Sequence, residues 1–429
     1  MELRWSNYVN DYHENGNVIL FHSVNRAVNM ISEEVYSQIE SFFKGMTPED
    51  EVKKLIAELY VDYFLVEKGK NERQEFIDIR NDRETQGACV VYFIPTFSCN
   101  FRCPYCIVSS TEHESVCHEV FPLEKELIEM ASWLKKYVIN HGLKKLTIEL
   151  FGGEPMVGFD QNVVFLKELN SIKEQGVELV VNMISNCYLL TEEKLAVLTG
   201  LGLKNIQCTI DGPKRIHDQR RIQANGEGSF DQIIENLKML ARKHIDFTIR
   251  INIDEENAPY ICELIEYLHE LGFHKVGQIG LAPVDPPIED GALTGHTKET
   301  MSYMEKIYRC LADHQFRFLM WETFCGNGLR DFFVICPDGK LYNCPSYAGM
   351  KGYEVGDVFE NGFYENRKKV HELSEHCYDC SLVGVCAGGC YFTKHIHNLG
   401  EQYCLKLTHS TMVKGYMLAK YSQMPVKEM

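Results

Sequence analysis

The chain has 429 residues, 45% of them apolar and 24% charged, with a formal net charge of −17 at pH 7. That length suits two or three domains rather than one, and the negative charge argues against a nucleic-acid partner, whose phosphates are held by clustered Lys and Arg. No apolar run reaches the roughly 18–20 residues of a bilayer span and the amino end, Met1-Glu2-Leu3-Arg4, lacks the apolar core of a signal peptide, so no membrane partner and a cytoplasmic location are expected.

Residues 1–86 form a first region. Alternation of apolar and polar positions predicts strands over 17–21 and 27–31, and the 3.6-residue period predicts helices over 32–43 and 47–65, the second opened by Thr47-Pro48-Glu49-Asp50. A small α+β unit of this kind is similar to the winged-helix domains that grip leader peptides. A plain capping extension on the next domain satisfies the same pattern.

Residues 87–295 follow a different rhythm. Short apolar runs at 89–95, 145–151, 178–184, 205–210, 247–251 and 275–279 alternate with helical periods near 123–139, 162–174, 191–201, 229–243 and 259–271. Six strands alternating with helices predict an α/β parallel sheet, open or curled into part of a barrel, with functional residues at the carboxyl ends of the strands. Residues 296–429 hold one helical period near 297–313. The remainder is short, Gly-rich and Cys-rich, and is expected to be ordered by metal more than by core burial.

Cysteine is the loudest signal. Ten of the seventeen form two groups, three at 99–106 and seven at spaced positions between 325 and 404. In a reducing compartment metal binding is the expected use. Cys99-Asn100-Phe101-Arg102-Cys103-Pro104-Tyr105-Cys106 follows directly on the first strand of the second region. Three thiolates on a four-iron cluster leave one iron open to another ligand, whereas Cys103 and Cys106 alone would suffice for a zinc knuckle. The three-residue gap before Cys103, Tyr105 and the position after a strand favour the cluster. The loop resembles the CxxxCxxC hallmark of the radical SAM superfamily, which builds a partial (β/α)6 barrel and cleaves S-adenosylmethionine (SAM) at the open iron.

That resemblance extends through the region. Gly152-Gly153-Glu154-Pro155 ends the second strand and is similar to the family's GGEP motif, which implies contact with the methionyl amino group of SAM. Ser185-Asn186-Cys187 stands where the family has Thr-Asn-Gly; Cys187 reads as an inert buried thiol, with a hydrogen-donor role as the alternative. Thr209-Ile210-Asp211-Gly212-Pro213, His217-Asp218-Gln219-Arg220-Arg221 and Gly226-Glu227-Gly228-Ser229-Phe230 resemble the SxDGP, HDxxR and GxGSF stretches of members that modify peptides and proteins. By that match Thr209 and Arg221 contact the ribose and carboxylate of SAM and Tyr105 lies near the adenine, while Asp211 and His217 fix the loop.

Cys325, Cys344, Cys377, Cys380, Cys386, Cys390 and Cys404 match the seven-cysteine SPASM pattern, which implies one or two auxiliary [4Fe-4S] clusters. Seven ligands exceed one tetrahedral zinc site. The resemblance assigns Cys377, Cys380, Cys386 and Cys404 to an outer cluster and Cys325, Cys344 and Cys390 to an inner one, which then lacks an obvious fourth ligand; Cys336, between Cys325 and Gly339, is one candidate, and a substrate thiolate or another group is the alternative. Cys89, Cys117, Cys262 and Cys310 lack ligand spacing and are expected to pack; His371, His376, His395 and His397 are near ligands only in sequence.

The implied activity is reductive cleavage of SAM to a 5′-deoxyadenosyl radical and modification of a ribosomal precursor peptide by an oxidative thioether or carbon–carbon crosslink, with a flavodoxin or ferredoxin as electron donor. Sulfatase-maturing relatives place an Asp base directly after the cysteine that corresponds to Cys344; here that position is Pro345, which favours crosslinking over formylglycine formation. Peptide epimerisation and a non-catalytic iron–sulfur or zinc scaffold are the further alternatives.

Overall fold

The computed structural model describes residues 2–83, 87–109, 120–284, 296–320, 325–326, 329–360, 362–364, 373–396 and 404–421. Cys117, His371 and His397 lie outside the described residues.

The first region holds β1 (Leu3–Trp5), β2 (Val9–Glu14), β3 (Asn17–His22), β4 (Val28–Ser32), α1 (Glu33–Phe43), α2 (Asp50–Val61), β5 (Leu65–Glu67) and α3 (Glu72–Arg83). Strands β2, β3 and β4 form an antiparallel sheet, and β1 pairs with β5. Ser32 caps α1 by accepting from the Val35 amide at 3.2 Å. The second helix begins later than expected. Glu49, not Thr47, is its N-cap, and Asp50 and Glu51 in its first turn complement the helix dipole. It also ends early, because Leu65 joins β5 instead.

The central region runs β6 (Ala88–Phe93), α4 (Glu124–Asn140), β7 (Lys145–Leu150), α5 (Phe159–Leu169), β8 (Glu178–Ser185), α6 (Glu192–Gly200), β9 (Leu203–Thr209), α7 (Lys214–Arg220), α8 (Phe230–Arg242), β10 (Asp246–Ile253), α9 (Ile261–Glu270) and β11 (Gly277–Pro283). These are the six parallel strands the pattern foretold. The sixth is shifted toward the carboxyl end, since Phe273–Lys275 forms a short helical turn and the strand starts at Gly277, where a Cβ would strike the Phe247 ring at 2.5 Å.

The third region adds α10 (Lys298–Ser302), α11 (Met304–Asp313), β12 (Arg317–Phe318), β13 (Phe332–Ile335), β14 (Lys340–Tyr342), β15 (Gly356–Asp357), β16 (Gly362–Phe363), α12 (Val383–Cys386), α13 (Tyr391–Ile396) and α14 (Lys406–Tyr421). The sheet order among the described residues is β12-β11-β10-β9-β8-β7-β6-β13-β14-β15-β16. Parallel pairing carries across both flanks of the central region, to β12 beside β11 and to β13 beside β6. This is a radical SAM fold with a parallel-rich sheet and a Cys-rich carboxyl-terminal region.

The central strands alternate fully buried and half-buried positions. Leu146, Ile148, Val181, Ile206 and Ile249 pack among the helices in one continuous core. The alternate positions, among them Tyr92, Glu149, Asn182, Gln207, Arg250 and Gln278, share the other face of the sheet.

The first region docks onto the third. Tyr8 Oη donates to the Tyr378 carbonyl at 3.0 Å, Asn10 Nδ2 to the Ser381 carbonyl at 3.0 Å, and Ser381 Oγ returns a bond to Asn10 Oδ1 at 2.7 Å. Arg73 pairs with Glu375 at 2.7 Å and lies over the Tyr378 ring. Gly384 is so close to Ser23 that a Cβ there would meet the Ser23 carbonyl oxygen at 2.3 Å. The loop carrying Cys377, Cys380 and Cys386 is therefore braced by the amino-terminal residues.

Candidate active site

The site begins where β6 ends. Cys99, Cys103 and Cys106 are half-buried on the loop after this strand. The Phe101 amide donates to Cys99 Sγ at 3.3 Å, and Asn186 Nδ2 lies 4.0 Å from the same sulfur while donating to Asn100 Oδ1 at 2.8 Å. Burial pushes the Cys99 thiol up to about 12, with Glu154, Cys106 and Cys103 acting in the same direction. Burial raises Cys103 as well, against the pull of Arg221.

The loop rests on Gly152 and Gly153. A Cβ on Gly152 would lie 2.5 Å from the Thr96 carbonyl oxygen, and one on Gly153 would lie 2.2 Å from that of Phe97. Gly152 also holds φ at 126°. Only glycine allows that approach. The amides of Gly153 and Glu154 donate to the Thr96 and Ser98 carbonyls at 3.1 and 3.0 Å, so the glycine turn and the cysteine loop are one rigid unit.

Glu154 is buried and accepts from Ser185 Oγ at 2.7 Å, the Asn186 amide at 2.7 Å and the Met156 amide at 3.0 Å. Burial raises its pKa although these bonds oppose it. Ser185 also accepts from the Cys187 amide at 2.9 Å. Cys187 has φ 60° and is fully buried, which accounts for a glycine preference at this turn. Its thiol is held well above its ordinary value by Cys208 and burial.

On the opposite side, Tyr105 Oη donates to the Asp211 carboxylate and accepts from Arg221 Nη1 at 2.9 Å and Asn252 Nδ2 at 3.4 Å. Asp211 is fully buried and also accepts from the Asn252 amide at 3.0 Å. His217, buried and kept neutral by its surroundings, lies 3.1 Å from Ser229 Oγ and accepts from the Asp211 amide at 3.3 Å. Arg221 is 4.0 Å from Asp211 and faces the Phe101 ring, and its Nε finds no hydrogen-bond partner among the described residues. An orphaned guanidinium donor beside three thiols suits a ligand that carries a carboxylate. Thr209 closes β9 in register with Arg250.

The structure thus brings Tyr105, Gly152, Gly153, Glu154, Ser185, Thr209 and Arg221 to the carboxyl edge of the sheet. Two further features escaped the sequence reading. Arg220, buried, holds Asp254 through two bonds of 3.0 and 2.7 Å and stacks over Tyr105. Arg250 shares its sheet face with Glu149, and its Nε donates to Asn252 Oδ1 at 2.8 Å. The signal was present as Thr248, Arg250 and Asn252 alternating with Phe247, Ile249, Ile251 and Ile253 along the strand, with Asp254 directly after it.

Among the described residues no three His, Cys, Asp or Glu side chains converge closely enough to share one metal ion. The cysteines fall instead into three electrostatically linked sets. Cys99, Cys103 and Cys106 are the first. Cys344, pushed up to about 12 by burial and then by Cys325 and Cys390, defines the second. Cys377 and Cys386 are both raised by burial and by Cys404 and Cys380, defining the third. Cys336 is buried in the apolar cluster of Val334 and Tyr342, against which Cys344 and Cys390 also pack, and its charged neighbours are Asp338 and Glu354. Buried thiols that raise one another this way become thiolates only when positive charge is supplied among them. Iron–sulfur clusters fit that requirement.

Residues 93–268 match the radical SAM superfamily, so the chain carries a radical SAM domain. It is an enzyme of that chemistry, whose cofactors are SAM and a [4Fe-4S] cluster. A cysteine-type anaerobic sulfatase-maturating enzyme of Clostridium novyi (strain NT) is 22% identical over 324 residues, covering 68% of this chain and 85% of that one. The structure of native anSMEcpe with bound AdoMet and Cp18Cys peptide aligns with TM-score 0.61 at 18% identity, over 78% of this chain and 97% of that one. Streptococcus suis SuiB bound to precursor peptide SuiA aligns with TM-score 0.50 at 14% identity, over 91% and 96%. No described helix is long and apolar enough to cross a membrane.

Proposed function

We propose that the enzyme matures a ribosomally made precursor peptide by installing an oxidative crosslink, a thioether or a carbon–carbon bond. The observation that carries this reading is Pro345. It follows Cys344 directly and opens the turn Pro345–Tyr347, so the position where sulfatase-maturing relatives keep a carboxylate base has no proton acceptor. The fold match to SuiB bound to its precursor peptide adds support, because it runs over 91% of the chain and so takes in most of the first region.

Cys99, Cys103 and Cys106 would hold the SAM-binding cluster. With SAM bound, that cofactor pair supplies a 5′-deoxyadenosyl radical that abstracts hydrogen from an unactivated carbon. Arg221 receives the SAM carboxylate, Glu154 with Ser185 receives its ammonium, and Asp211 fixes Tyr105 against the adenine side. Arg250 and Glu149 offer opposite charges to the peptide on the inner face of the sheet. The third cysteine set holds the outer auxiliary cluster. The second set would hold an inner one, whose remaining position would be filled by Cys336, a substrate thiolate or another group. A small flavodoxin or ferredoxin delivers the electron.

The test is anaerobic reconstitution. The enzyme with dithionite and SAM should release 5′-deoxyadenosine, and co-expression with a short Cys-rich peptide from a neighbouring reading frame should remove two hydrogens per crosslink. A preparation that releases no 5′-deoxyadenosine defeats the enzyme reading. Formylglycine on a sulfatase-derived peptide, with the precursor untouched, would establish sulfatase maturation, the reading favoured by the 22% identity to the Clostridium novyi enzyme.

A further inference from the structure

Cys262 and Cys310 stand 48 residues apart and outside all three cysteine sets. The sequence offered no reason to join them, yet the fold does. Cys262 lies in the first turn of α9, and Cys310 lies on α11, which packs against it. Both are half-buried, and both line one surface groove of about 580 Å³ together with Glu266, Lys306, Asp313 and His314.

The local chemistry is asymmetric. Cys310 Sγ is 3.9 Å from the Cys262 carbonyl oxygen and 3.7 Å from His314 Nδ1, which itself donates to the Cys310 carbonyl at 2.9 Å. The Cys310 thiol donates to the Cys262 carbonyl, and the hydrogen-bonding contact between the two side chains brings the Cys262 thiol down to about 7, opposed by burial and Glu266 and helped by Lys306 and His314. The same contact drives Cys310 upward. Arg309 and Glu305 complete the charged rim of the groove. Cys262 is the more acidic of the two thiols and Cys310 the less, the division of labour that thiol–disulfide exchange needs.

We propose that Cys262 and Cys310 form a dithiol exchange site on the helical exterior of the barrel that takes low-molecular-weight disulfides, with Cys262 attacking and Cys310 resolving. The Cys262 thiolate attacks one sulfur of a disulfide RSSR, forming a mixed disulfide and releasing RS⁻. Cys310 then attacks the Cys262 sulfur, its proton passing to the departing RS⁻. The protein sulfurs are oxidised to one Cys262–Cys310 disulfide, and RSSR is reduced to one RSH and one RS⁻, which takes from solvent the proton that Cys262 had given up. The product bond ties α9, on the barrel, to α11, which packs on α14. This site is independent of the peptide reading.

The experiment uses the cluster-loaded enzyme, anaerobic, with glutathione disulfide as the probe, followed by acid quench, alkylation and peptide mapping. The wild-type enzyme should yield a Cys262–Cys310 disulfide and release two glutathione thiols per chain. Cys310→Ser should trap glutathione on Cys262, and Cys262→Ser should leave Cys310 a free thiol. Cys310→Ala should slow the attack at pH 7 about 3-fold, as the thiolate fraction falls and intrinsic nucleophilicity partly compensates. Recovery of both residues as thiols overturns the proposal. So does equal labelling of Cys310 in Cys262→Ser and of Cys262 in Cys310→Ser.

Discussion

The two cysteine regions are built on opposite principles. Cys99, Cys103 and Cys106 occupy one short loop whose leading carbonyls, Thr96 and Ser98, are bonded by Gly153 and Glu154 and whose Asn100 side chain is bonded by Asn186, so the barrel holds the ligands in place. The seven carboxyl-terminal cysteines are spread from Cys325 to Cys404 over short strands and turns, with the amino-terminal residues acting as a clamp. One site is organised by a sheet, the other by contacts made across the chain and by whatever the thiols bind.

The sharpest way to separate them is to change Cys99, Cys103 and Cys106 together to Ala. Release of 5′-deoxyadenosine should vanish while the iron of the carboxyl-terminal sets remains, as read by iron analysis and chromatography; loss of all iron would show that the regions are not independent. Cys386→Ala is the converse. It should lower iron content and abolish peptide product while SAM cleavage persists uncoupled.

Gly153→Ala sharpens the claim that the first loop is preorganised. The added methyl meets two carbonyl oxygens at 2.2 and 2.4 Å, so the variant should lose about 1–3 kcal/mol by overpacking and bind SAM more weakly. Unchanged SAM affinity in equilibrium dialysis would refute the close approach.

The clamp can be probed by pH. Burial holds the His22 imidazole down to about 4 from its ordinary 6.5. As pH falls below 6.5 the unfolded chain takes up a proton that the folded chain refuses, so this stability is complete above 6.5 and drains as pH drops toward 4. Between pH 7 and 5 the loss is on the order of 2 kcal/mol. His22→Gln should flatten the decline in urea midpoint between pH 7 and 5 relative to wild type; parallel curves would count against it. The smallest effect is expected from Tyr8→Phe, which removes the bond to Tyr378 and should cost about 1 kcal/mol, seen as faster proteolysis within residues 373–396.

The barrel was legible in the sequence because each strand keeps apolar residues at its alternate buried positions and the helices between strands keep a 3.6-residue period. The glycine pair and the cysteine spacing were legible because close approach and cluster ligation each restrict residue type. The third region was not. Strand β13 reads as an apolar run and takes its place beside β6 only through long-range pairing, and α14 carries little amphipathic contrast because it is buried on several sides. Cys262 and Cys310 read in the sequence as packing residues, since 48 positions of chain hide a contact made between two helices.

The bond from Tyr8 to Tyr378 spans 370 residues. A ribosome finishes the amino-terminal region long before the loop it clamps exists, so the early region must wait, partly uncovered, for the last quarter of the chain. Shortening the protein from either end should then inflict the same injury on the outer cysteine set, because the two ends complete one another's surface.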